Sequence, residues 1–74
     1  MFVDASAMCA ILLDEPEAEA LAEKLAGAPQ RLTSAIAVFE TVRALMRVTE
    51  LDPDGARAII ARFLNAAEIE TVAV

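Results

Sequence analysis

Two acids stand out by where they fall in the apolar pattern of this chain. Asp4 closes the short run Phe2-Val3 and precedes Ala5-Ser6; Glu40 follows Phe39 within an apolar helical stretch. In an open parallel sheet the carboxyl ends of the strands form the ligand crevice. A partly desolvated charge at such a strand end must be paired, capped or metal-bound. The plainer reading of Asp4 or Ser6 is a cap for the next helix, and that of Glu40 is an exposed acid paired with Arg43 at i+3, worth about 0.2–0.5 kcal/mol. If the two carboxylates converge, they repel unless a cation sits between them. Mg2+ and Mn2+, which prefer carboxylate and water oxygens, suit that place. Such an ion lowers the pKa of bound water and stabilises charge on a phosphate, the chemistry of metal-dependent nucleases and phosphatases.

Composition removes the main competitors. The 74 residues include no histidine, which excludes a Ser/His/Asp triad, a His-ligated zinc site and an imidazole base supplied by this chain. Its lone Cys9, inside the apolar run Ala7 to Leu13, reads as a small buried hydrophobe in a reducing cytosol. That run is far shorter than the roughly 20 residues that span a bilayer, and Asp4 stands where a signal peptide would carry positive charge, so a cytoplasmic protein is expected. With 6 Lys+Arg against 12 Asp+Glu the formal charge is −6, which argues against non-specific nucleic-acid binding. Of the arginines, Arg43, Arg47, Arg57 and Arg62 lie in the second half and Arg31 shortly before it, whereas Asp14 to Glu23 is rich in acid. A nucleic-acid partner would need that second half, or metal ions offsetting the acid.

The elements that must position Asp4 and Glu40 are legible in the pattern. Phe2-Val3 predicts a very short strand ending at Asp4, with Ser6 capping a helix from Ala7 to about Leu13. Pro16 suits a first helical turn, Ala18, Leu21, Ala22 and Leu25 form one apolar face, and Gly27 ends the helix. Arg31 to Thr33 predicts a second strand, and Thr33 or Ser34 caps a helix from Ala35 to Val48 whose Ala35, Val38, Phe39, Val42, Leu45 and Met46 share a face. Asp52-Pro53-Asp54 is a helix start, followed by Ala56, Ile59, Ile60, Phe63, Leu64 and Ala67. The alternation from Glu68 to Val74 predicts a third strand. Strands separated by helices imply right-handed crossovers and a parallel sheet covered by helices, so the fold class is α/β. A chain this short stabilises a small core, and without disulfides or a Cys/His cluster association is the remaining support.

Met1-Phe2-Val3-Asp4-Ala5-Ser6-Ala7, an acidic amphipathic helix, and Leu32-Thr33-Ser34-Ala35 leading to Phe39-Glu40-Thr41-Val42 together resemble the PIN-domain family, specifically the VapC-type toxins of bacterial toxin–antitoxin pairs. The similarity covers essentially the whole chain as a single domain, residues 1–74. It implies a three-layer α/β/α fold with a short central parallel sheet. Asp4 and Glu40 match the family's metal-site acids, and Ser6 matches the small hydroxyl residue that steadies the first carboxylate or a metal-bound water. The implied activity is Mg2+- or Mn2+-dependent endoribonuclease cleavage of RNA, with a homodimer and a cognate antitoxin as partners.

The family pattern continues with further acids on later segments, and here the sequence ends at Val74 first. The chain is therefore expected to be the N-terminal half to two-thirds of the domain, truncated after its third strand, with weak or absent activity alone. Glu50, Asp52, Asp54, Glu68 and Glu70 are not assigned to the site. An open sheet edge invites another chain, so an inactive module that binds an antitoxin or itself is the alternative. A phosphatase of the haloacid-dehalogenase kind wants a second acid two residues after the first; Ser6 occupies that place.

Overall fold

The computed structural model describes residues 1–73, and the order of elements follows the sequence pattern. Helix α1 spans Ala5–Leu12, α2 Ala18–Gly27, α3 Ala35–Val48 and α4 Pro53–Ala66; strands β1, Leu32–Ser34, and β2, Glu70–Val72, form a parallel pair. The mixed α/β class is as expected. The first predicted strand is reduced to a parallel bridge between Phe2 and Leu32 on the other side of β1. The third strand is shorter than the Glu68–Val74 span predicted, and Val74 lies outside the described residues.

Local chemistry sets the helix starts. Asp4, not Ser6, is the N-cap of α1: its Oδ1 accepts from the Ala7 N–H at 2.9 Å, so the helix begins two residues earlier than the sequence suggested. Ser34 caps α3 through Ala37 N–H, and Asp52 caps α4 through Gly55 N–H with Pro53 in the first turn, both as expected. Pro16 falls outside α2, whose N-cap Glu17 makes no side-chain capping bond.

Two helices stop with an unusual residue in the left-handed region. Asp14 (φ 52°) follows α1, and Glu68 (φ 54°) follows α4. Around each, paired backbone bonds close the helix end: Asp14 N to Ile11 O with Glu15 N to Ala10 O, and Glu68 N to Asn65 O with Ile69 N to Leu64 O. This is the Schellman arrangement, normally built on glycine because a Cβ is disfavoured there.

The core has two parts. Val3, Met8, Leu25, Ala37 and Ile69 join α1, α2 and α3 to the sheet, while Val42, Leu45, Ala56 and Ile60 join α3 to α4. The buried stripe of α3 keeps Val42 and Leu45 of the expected face but adds Ala37 and Thr41 in place of Ala35, Phe39 and Met46. Phe39 is 57% exposed and Ile36 66% exposed, because the helix turns its smaller residues toward α1. Arg31 then ties three segments together: its guanidinium donates to the carbonyls of Ala26, Ala28 and Ala67, at the ends of α2 and α4.

Candidate active site

Asp4 and Glu40 come to line one cleft because the segment before α1 is pinned to the strand before α3. Val3 N–H donates to Leu32 O at 2.7 Å, Leu32 N–H to Met1 O at 2.9 Å, and the buried Thr33 hydroxyl donates to Val3 O at 2.7 Å. The two segments run parallel, so α1 and α3 leave the same end of the sheet and pack on each other. Asp4 stands at the head of α1, and Glu40 lies in the second turn of α3.

Both acids line a single open cleft of about 440 Å³, together with Ala5, Ser6, Cys9, Ala44 and Arg47. The sequence-derived trio Asp4, Ser6 and Glu40 is thus brought together. Ser6 Oγ donates to Asp4 Oδ1 at 2.9 Å, the same oxygen that caps Ala7 N–H, and fixes the carboxylate from a second side. Oδ2 of Asp4 has no protein partner among the described residues. Glu40 is exposed, and the pair expected with Arg43 does not form; the Arg43 guanidinium lies instead over the Phe39 ring, 5.8 Å from its centroid.

The sequence reading missed two residues of the cleft. Arg47 lies two turns beyond Glu40, a spacing of i+7 that places it on the same helical side and was available as a signal. Cys9 is half-buried on the cleft wall rather than fully inside the core. Burial pushes its thiol pKa up, Glu15 adds to that rise, and Arg47 opposes it. A neutral thiol is a poor ligand for hard cations and a weak nucleophile.

The donor set fits a hydrated hard divalent ion. Two carboxylates in an open cleft supply oxygens of the kind that Mg2+ takes while keeping several waters. Among the described residues no third Asp, Glu, Cys or His completes a protein cage around them. Electrostatics differ on the two flanks. Beyond Asp4 and Ser6 a second cleft carries Glu15 and Glu17, whereas beyond Glu40 a third is lined by Glu40, Arg43 and Arg47. None of the described helices is long and apolar enough to cross a membrane.

The model of the PIN domain family matches residues 1–74. No curated protein and no solved structure matched the chain. Proteins built on this domain are generally nucleases, in keeping with acids gathered at the strand and helix ends of a parallel α/β sheet. The match over the whole sequence establishes that this chain belongs to the PIN domain family.

Proposed function

We propose that this chain is the acid-bearing part of a Mg2+- or Mn2+-dependent endoribonuclease, a toxin of the VapC type controlled by a cognate antitoxin. The observation that carries the reading is the shared cleft of Asp4 and Glu40, with Ser6 bound to the Asp4 carboxylate. Asp4 and Glu40 would hold the ion. Bound there, such an ion would supply an activated water and offset charge on the scissile phosphate. The chain's own contribution is positional. Ser6 and the Ala7 N–H hold Asp4 Oδ1, which leaves the second oxygen for the cleft, and the second turn of α3 brings Glu40 to the same cleft.

Calorimetric titration of the 74-residue chain with Mn2+ tests the reading. Saturable binding lost in both Asp4→Asn and Glu40→Gln is expected, along with weak Mg2+-dependent cleavage of RNA that neither variant retains. Cleavage that persists in either variant would remove that acid from the mechanism. Antitoxin control and dimer formation follow from the same family reading. An interaction module without catalysis would show no metal binding at all.

A further inference from the structure

Resting on that nuclease reading, we propose that the exposed side of α3 is the track for single-stranded RNA, with Arg47 and Arg43 on phosphates and Phe39 stacking a base.

Three observations converge on this side of the helix. Glu40 and Arg47 line both the acidic cleft and the neighbouring cleft that Arg43 completes, so the surface runs without interruption from the acids to the arginines. Neither Arg43 nor Arg47 makes an ion pair among the described residues, which leaves both guanidiniums available to an incoming anion. Phe39 is 57% exposed, with the Arg43 guanidinium 5.8 Å from its ring centroid. An exposed ring beside unpaired arginines is what base stacking next to a gripped backbone requires.

The direction of the track follows from charge. On the α1–α2 side, Asp4 borders Glu15 and Glu17, which repel phosphate; on the α3 side, Glu40 borders two cations. In a chain of net charge −6, local cations rather than the overall field must hold a polyanion. Ile36 shares the exposed side and would favour a second copy of the chain there. Unpaired arginines contiguous with a carboxylate site favour RNA instead.

The test is binding of a single-stranded 2′-O-methyl oligouridylate, which cannot be cleaved through its sugar hydroxyl, followed by fluorescence anisotropy over a salt series in EDTA. Each lost phosphate contact flattens the slope of log K against log salt by about 0.7. The double variant Arg43→Gln/Arg47→Gln should therefore flatten it by about 1.4. Arg43→Lys/Arg47→Lys should restore the slope. Phe39→Ala should weaken binding by about 5- to 150-fold with the slope unchanged. Sedimentation checks that all variants keep the same assembly state, and circular dichroism that they fold. An unchanged slope in the glutamine variant, absence of binding by the unsubstituted chain, or a change of assembly state in place of RNA affinity would each overturn the proposal. Because the assay contains no divalent ion, its failure is separate from failure of the Mn2+ titration, which bears on Asp4 and Glu40 alone.

Discussion

Asparagine at position 4 separates the two tasks of this side chain. Asp4 caps α1 through Oδ1, and the same carboxylate lines the cleft with Glu40. Asparagine keeps an oxygen for the Ala7 N–H and caps about as well as aspartate. It forfeits the interaction of a charge with the helix N-terminus, about 0.3–1 kcal/mol, but relieves repulsion from Glu40. In metal-free buffer Asp4→Asn should therefore unfold within about 0.5 kcal/mol of the unsubstituted chain. Asp4→Ala removes the cap and should cost about 1 kcal/mol, or roughly 4–8 °C in Tm for a domain this small. With Mn2+ at about 100 times its Kd, a bound ion adds about 2.7 kcal/mol to the unsubstituted chain, a rise of roughly 10–20 °C. Neither variant should show that rise. The chain has no Trp or Tyr, so thermal melts followed by far-ultraviolet circular dichroism, with Mn2+ and with EDTA, are the assay. An Asp4→Asn protein that keeps its Mn2+ shift, or that loses as much stability in EDTA as Asp4→Ala, would refute the division of roles.

Other perturbations probe the frame that holds the cleft. Thr33→Val deletes the buried hydroxyl that donates to Val3 O and should cost about 1–3 kcal/mol in urea unfolding, since the carbonyl is left without that donor. Arg31→Met removes three guanidinium bonds to the ends of α2 and α4 and should lower stability by about 1.5–3 kcal/mol, with faster amide exchange at Ala67 and Glu68. Glu68→Gly should raise stability by about 0.5–1 kcal/mol by relieving the left-handed φ of 54°; a fall in urea midpoint would contradict it. For Cys9 the folded thiol titrates above its ordinary value, so the stability it contributes is present below the unfolded thiol's pKa and is lost as pH rises through the folded one. Cys9→Ala should flatten the alkaline end of a stability-against-pH curve measured by urea unfolding.

What the sequence by itself determined was local. Caps and first turns are contests between a few neighbouring groups, so Ser34 before α3 and Asp52-Pro53 before α4 could be read directly, as could the loss of all imidazole chemistry. Asp4 and Glu40 were also marked in advance, as acids set in apolar runs next to strand and helix starts. The same local reading misplaced the first cap, because Asp4 and Ser6 compete for nearly the same donors and the strand before them holds only one bridge. Only the tertiary structure decided which side of α3 goes inside. Periodicity groups Val38, Phe39, Val42, Leu45 and Met46, but packing against α1 and α4 buries Val42 and Leu45 together with Ala37 and Thr41 and leaves Phe39 outside. It likewise decided that Arg47 and Cys9 belong to the cleft. Neighbours far apart along the chain are set by parallel pairing of the Met1–Val3 segment with β1, and that energy depends on the whole core rather than on any short run of residues.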